Sequence, residues 1–352
     1  MVSRVTGSDP GRKHVRAKGS VAPFTRQLLP LSQSWQPTLV VVIDTEEEFD
    51  WSAPFDPANN SVSNIEFQAF AQDIFDAHGV VPNYVVDYPV ANTPASVAVL
   101  ATFAAEGRCE IGAHLHPWVN PPDPSPIDSY HSYPGNLPAA IERQKLAALT
   151  DAIEANFDVR PTVYKAGRYG IGTATPTILR ELNYTIDVSV VPYTDFSSDG
   201  GPDFSGIPGT PFLIENDLCE LPLSVDFVGY LAPLGSKIFP FLMGQAGRSL
   251  RLAGVCGRLR LLERLRLSPE GHTLKDLMRQ TRAALARGTR LFMLTYHSSS
   301  LLPGATIYVR TMTERAAFLA TIDSYLQFFL GEVGGRVDTV TQVAAALMQA
   351  NK

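Results

Sequence analysis

Four short phrases carry residues whose types and spacing suit hydrolytic chemistry. The first is Asp44-Thr45-Glu46-Glu47-Glu48-Phe49-Asp50-Trp51, directly after the apolar run 39–43. Side chains at i and i+2 of a strand share a face, so Asp44 and Glu46 point the same way. Two carboxylates at a strand mouth can serve as a metal ligand and a general base. Glu47, Glu48 and Asp50 read instead as an acidic loop solvated at the strand end. The second phrase is Glu110-Ile111-Gly112-Ala113-His114-Leu115-His116-Pro117-Trp118, in which two imidazoles share a face. Two histidines and a carboxylate with an open position form a common catalytic zinc arrangement. The third is Tyr164-Lys165-Ala166-Gly167-Arg168-Tyr169-Gly170-Ile171-Gly172. Its glycines let backbone N–H groups approach a ligand, and Lys165 or Arg168 can pair with a catalytic carboxylate. In the fourth, His297 ends the apolar run 291–296 and suits a general acid. The serines 298–300 lack the Gly-x-Ser-x-Gly surroundings of a serine-hydrolase elbow.

These phrases need elements to hold them. The spacing predicts strands over 39–43, 80–86, 109–116, 161–166, 184–191, 218–223 and 290–296. Helical periodicity falls between them, over 64–78, 94–106, 138–156, 174–182, 273–287, 312–331 and 343–350. Repeated strand–helix alternation implies parallel strands with helical crossovers. No Gly-x-Gly-x-x-Gly follows the first strand, which counts against a dinucleotide fold. The polar phrases sit just past strand C-termini, where a (β/α) barrel builds its site.

The chain has 352 residues, 45% hydrophobic and 18% charged, enough for a sizeable core. No apolar run is long enough to span a bilayer as a helix. Cys109, Cys219 and Cys256 are odd in number and far apart, so reduced thiols and a cytoplasmic setting are expected. The net charge of −6 is unevenly spread. Residues 1–37 carry +5 and residues 248–290 carry +8, leaving −19 for the rest. An acidic body with basic appendages does not suit a nucleic-acid binder. Residues 1–37 read as a disordered basic tail, and 38–352 as one domain interrupted at about 224–272. Basic and apolar residues interleave within 248–267, which reads as one or two helices: a lid, a dimer contact, or a surface that touches anionic membrane and makes the protein peripheral to the inner membrane.

Together and in this order, the phrases resemble the NodB-homology polysaccharide deacetylases, carbohydrate esterase family 4, and in particular their lipopolysaccharide-associated, WalW-like branch. The loop Ser132-Tyr133-Pro134-Gly135-Asn136-Leu137-Pro138 and the run His297-Ser298-Ser299-Ser300-Leu301-Leu302-Pro303-Gly304 are similar to that branch as well. The resemblance spans about residues 38–348. It implies an α/β fold, a distorted (β/α)7-type barrel of mostly parallel strands with a helical basic insertion. It also implies a divalent metal, zinc as a rule, and an N-acetylated carbohydrate substrate from a bacterial polysaccharide or lipopolysaccharide precursor.

By the same resemblance Asp44 is the base, His297 the acid, and Lys165 or Arg168 the cation that holds the base. The family's adjacent metal aspartate falls on Thr45, so Glu46 takes that place. The family's second histidine falls on Trp118, so the metal set is Glu46, His114 and His116. Trp118 and Tyr169 are candidate platforms for sugar rings, and the Tyr169 N–H a donor to the reacting oxygen. Rival readings are a non-catalytic glycan-binding or biosynthetic accessory protein, a hydrolase of another amide or O-acetyl ester, and a glycoside hydrolase. The last leaves His114 and His116 without a role.

Overall fold

The computed structural model of the protein describes residues 24–50, 53–123 and 125–351. In chain order the strands are β1 (Arg26–Leu28), β2 (Thr38–Thr45), β3 (Asn83–Val86), β4 (Glu110–Leu115), β5 (Val163–Ala166) and β6 (Ile186–Asp187). They continue with β7 (Phe212–Ile214), β8 (Leu218–Glu220), β9 (Val225–Val228), β10 (Glu263–Arg266), β11 (Leu291–His297) and β12 (Arg336–Val337). The helices are α1 (Gln68–Ala77), α2 (Tyr88–Asn92), α3 (Pro94–Ala105), α4 (Ala139–Phe157), α5 (Thr175–Glu181) and α6 (Gly235–Met243). After them come α7 (Gln245–Ser249), α8 (Leu252–Arg258), α9 (Leu274–Ala286), α10 (Met312–Gln327) and α11 (Val340–Ala350).

Strands β8, β6, β5, β4, β3, β2 and β11 lie side by side in that order, every pair parallel. All eight residues of β2 are buried, which is why the run is apolar without alternation. Helices on the outside cover the sheet. Their starts follow local chemistry: Thr273 and Asp276 form a capping box on α9, and Thr339 and Gln342 do so on α11. No ladder joins β8 to β11. Single hydrogen bonds bridge the two ends instead: Leu267 N donates to Ser224 O at 2.8 Å, and Thr295 N to Leu267 O at 3.2 Å. Met293 N also reaches Ser224 Oγ at 2.8 Å. The result is a distorted (β/α)7-type barrel fold, as expected.

Two expectations need correction. Residues 1–23 of the expected tail lie outside the described residues, but 24–37 are built into the fold. β1 pairs antiparallel with β7, and Phe24 and Leu29 are buried in the main core. The signal is short, a three-residue strand and two apolar anchors among polar residues, too little for a periodicity. The insertion also differs from a purely helical one. β9 and β10 form an antiparallel hairpin, and α6, α7 and α8 sit inside it over a small separate core of Phe227, Ala232, Phe239, Leu242 and Leu262. The alternation Glu263-Arg264-Leu265-Arg266 has a strand's period of two, and pairing with β9 decides it. Gly229, at φ 108°, makes the close approach: a Cβ there would stand 2.6 Å from Leu261 O.

Candidate active site

Register along the parallel strands brings the polar phrases together. Asp44 pairs with His297 across β2 and β11, and His114 pairs with Lys165 across β4 and β5. All four lie at strand C-termini and point into a cavity of about 1420 Å³ at that end of the barrel, or into the wall just beneath it.

Glu46, His114 and His116 converge there, each at most 2% exposed. Glu46 Oε2 stands 3.3 Å from His114 Nε2 and 3.4 Å from His116 Nε2. The ligand atoms of all three lie within 4.8 Å of one another. His114 Nδ1 is 2.9 Å from the Lys165 carbonyl, which can only accept, so Nδ1 carries the proton and Nε2 turns its lone pair on Glu46. His116 Nδ1 donates to Glu47 Oε2 at 2.7 Å and leaves its Nε2 in the same state. Two lone pairs facing a carboxylate in a buried pocket repel unless a cation lies among them. The donor set, two imidazoles and one carboxylate, therefore fits a divalent metal of the zinc type. Thr45 takes no part, because its hydroxyl turns back to Ile43 O at 2.9 Å.

Beside this triad lie two charged pairs. Lys165 Nζ reaches across the barrel to Asp44 Oδ1 at 2.5 Å, with both side chains buried. Burial raises the Asp44 carboxyl, but the charge of Lys165, with that of His297 behind it, outweighs burial and holds it at about 2. His297 Nδ1 stands 2.9 Å from Glu270 Oε2, and its Nε2 faces Asp44 Oδ2 at 3.6 Å. Burial works against the His297 charge, but Glu270, Glu46 and Asp44 push its pKa well above the ordinary histidine value. Glu270 is buried too, yet His297 and Arg266 bring it down to about 2. The site thus holds an ionised aspartate and a charged imidazolium side by side.

The expected residues divide as follows. Of the two candidate cations, Lys165 holds Asp44. Arg168 does not: it pairs with Asp199, bonds to Ser132 and lies 4.1 Å over the Tyr133 ring, in the cavity wall. Its backbone explains this, because at φ 53° the chain turns out of the strand before the side chain begins. Trp118 does not line the cavity. It is fully buried, stacks on His116 at 4.3 Å between centroids and donates to Glu47 Oε1 at 2.8 Å. Tyr169 does line the cavity, stacked on Phe196 at 5.6 Å, with its hydroxyl held by Arg266 at 2.8 Å.

The solvated reading of Glu47 is overturned. Glu47 is fully buried and anchors both His116 and Trp118. Asp87, at the end of β3, stands against it and accepts from Glu47 N at 2.7 Å. Burial raises both carboxyls, Glu47 to about 7 and Asp87 well above its usual range, so the pair keeps a proton. Glu48 is a loop fastener, accepting from Ser61, Ser63 and Asn64 N.

Three site residues escaped the sequence reading: Glu270, Arg266 and Asp87. Asp87 follows Val85-Val86 directly, the signature that singled out Asp44, and could have been found by it. Arg266 ends the hairpin strand β10 and Glu270 follows it, and neither carries a comparable local mark.

Among solved structures, the fold is similar to a candidate polysaccharide deacetylase from Mycobacterium smegmatis. The identity is 19% and the TM-score 0.51, over 93% of this chain and 96% of that one. Weaker likenesses include a carbohydrate esterase family 4 pseudoenzyme from Bacillus anthracis, at 10% identity and TM-score 0.41, over 88% of this chain and 66% of that one. Another is a peptidoglycan N-acetylglucosamine deacetylase, at 10% identity and TM-score 0.43, over 87% of both chains. No protein-family model and no curated protein matches the sequence. At 19% identity the likeness to the Mycobacterium smegmatis structure speaks for the fold alone, and the chemistry rests on the site.

Proposed function

We propose that the protein is a metal-dependent hydrolase that removes an N-acetyl group from a sugar of a bacterial polysaccharide or lipopolysaccharide precursor. The observation that carries this reading is the convergence of three buried acceptors, Glu46, His114 and His116, beside one ionised carboxylate and one charged imidazole. Glu46, His114 and His116 would hold the divalent ion, with zinc as the preferred occupant of such a set. When bound, it supplies Lewis acidity and positive charge to the reacting acyl group and water.

The chain's own residues do the rest. Asp44 takes the proton of the attacking water as its oxygen bonds to the acetyl carbon. Lys165 keeps Asp44 ionised and aims it, since a buried carboxylate without its partner takes up a proton. As the carbon–nitrogen bond breaks, His297 gives its proton from Nε2 to the leaving amine. Glu270 fixes that tautomer by accepting from Nδ1 and holds the charge until it is needed. Glu47, backed by Asp87 and Trp118, fixes the ring of His116 so that Nε2 faces the triad. Acetic acid and a free amine leave, the acid passing its proton on in water to become acetate, and one proton passed from Asp44 to His297 restores the site. Tyr169 is the aromatic wall proposed to meet the sugar ring, and the cavity is large enough for more than one residue of a glycan.

The test is metal content together with turnover of N-acetylated oligosaccharides, before and after chelation. The reading expects about one tightly held divalent ion per chain and activity that is lost on chelation and regained on metal return. Glycan binding without turnover, metal present, would replace it with an accessory binding protein. Faster release from O-acetylated than from N-acetylated glycans would move the substrate class to esters. Lipopolysaccharide precursors and peptidoglycan fragments compared side by side would decide between glycans.

A further inference from the structure

The hairpin insertion carries a surface of unusual chemistry. Among the described residues fifteen large apolar side chains are exposed, and seven of them lie between residues 230 and 259. They include Tyr230 at 84%, Phe241 and Leu250 at 67%, and Leu259 at 61% exposure. A soluble surface scatters such residues singly, so this concentration marks a place that meets something. The small core beneath uses Phe227, Phe239, Leu242 and Leu262, so these apolar groups are what remains after the insertion has folded on itself.

The charges on the same segment are all of one sign. Residues 229–262 contain Lys237, Arg248, Arg251, Arg258 and Arg260 and no Asp or Glu. All five are exposed, and none is ion-paired among the described residues. These five charges in a chain of net −6 leave −11 for everything else. An anionic surface therefore attracts this segment and repels the body, which orients the molecule with the insertion foremost.

Arg264 and Arg266, which the sequence placed in the same basic run, are not part of this surface. Arg264 lies over Phe239 and donates to Tyr193 O, and Arg266 holds Tyr169 and Glu270 in the cavity wall.

We infer that α6, α7 and α8 form a docking surface for an anionic lipid bilayer, with Phe241, Leu250 and Leu259 entering the interface and the arginines meeting the headgroups. The combination selects this occupant. A second copy across a two-fold axis would set five like charges against five. A nucleic acid would use the charges and leave the apolar side chains in water. Only a bilayer offers negative charge and an apolar interior in successive layers. No helix among the described residues is long and apolar enough to cross the membrane, so the contact is one of lying on the surface.

The inference is independent of the proposed reaction, and the test keeps the two apart. The full chain is sedimented with phosphatidylcholine vesicles and with vesicles that also contain phosphatidylglycerol. It should bind only the second kind, and less as salt rises. Replacing Arg248, Arg251, Arg258 and Arg260 by Gln should lower the partition coefficient at least tenfold, roughly, on the usual worth of a basic residue at such a surface. The triple variant Phe241→Ser, Leu250→Ser, Leu259→Ser should lower it as well, and should abolish the binding that persists at high salt. All seven positions are exposed, so both variants should keep the circular dichroism of the unmodified protein and its turnover of a water-soluble substrate. No binding by the unmodified chain, equal binding to neutral vesicles, or unchanged binding in either variant overturns the inference. A concentration-dependent dimer that the triple serine variant loses would overturn it too, and make the face a contact between copies.

Discussion

Asp44 and His297 touch at their far ends, 3.6 Å apart, yet the proposed reaction asks opposite things of them. Asp44 must be empty of its proton and His297 must hold one. Asp44→Asn keeps the shape and removes the base, so turnover should fall roughly 10²–10⁴-fold while metal content stays. Full activity at full metal loading would remove Asp44 from the mechanism. The second test at this scale is of Glu270. Its carboxylate raises the His297 pKa, so the protonated form persists above the ordinary histidine range. With His297 as the proposed acid, the alkaline limb of the pH–rate profile should belong to that proton. Glu270→Gln keeps a hydrogen-bond acceptor and removes the charge, so the limb should move to lower pH with kcat reduced at neutral pH. A limb that stays in place would give the alkaline limb to another group.

At the scale of elements, the convergence of Glu46, His114 and His116 depends on how closely β4 and β5 end together. Gly167 follows β5, and a Cβ there would stand 2.3 Å from Leu115 O and 2.6 Å from His116 Cδ2. One methyl group must therefore displace the ring that Glu47 and Trp118 hold. Gly167→Ala should weaken metal binding about 10–100-fold, the range for disturbed ligand support, and calorimetric metal titration would measure it. Unchanged affinity in a folded variant would mean that His116 does not ligate. The short β1 makes a separate element-scale claim. Leu29 is fully buried against the main core, so Leu29→Ala should cost about 2–4 kcal/mol in chemical denaturation. A cost near zero would return 24–37 to the status of a tail.

For the whole molecule, several carboxyls are buried away from Glu46, His114 and His116. Burial raises Glu142 to about 7 and Asp187 to about 6, and pushes Glu220 well above the usual range. Each holds its proton longer in the folded chain than in the unfolded one. Their contribution to stability is therefore complete below the unfolded carboxylate range, about pH 4, and is lost as pH rises through 6 to 7. Glu270, held at about 2, works the other way, contributing above about pH 4 and losing it as pH falls toward 2. Unfolding should therefore be hardest at mildly acid pH. Glu142→Gln keeps the acceptor for Thr175 and removes the titration, so it should raise stability by about 1–3 kcal/mol at pH 8 and change it little at about pH 4.5. Urea unfolding at the two pH values decides it. Equal differences at both would mean that Glu142 ionises freely in the folded chain.

Some of this was settled by the chain alone. Strands β2, β4 and β11 are apolar runs ending in Asp44, His114 and His297, and a strand's period of two puts Asp44 with Glu46 and His114 with His116. Those are local facts, and local order carries them. Which cation serves Asp44 is not local. It depends on Lys165 lying on β5, three strands from β2 and facing it across the barrel, while Arg168 has already left the strand. The inward turn of Glu47 depends on a pocket made by Asp87, His116 and Trp118 from two other strand ends. Glu270 reaches His297 only because β9 and β10 pair and return the chain to the barrel mouth after more than thirty residues outside it. Side chains that act along their own strand are legible in sequence because backbone geometry alone aims them. Side chains that act across strands are not, because packing decides which strand ends meet, and only the tertiary structure holds that information.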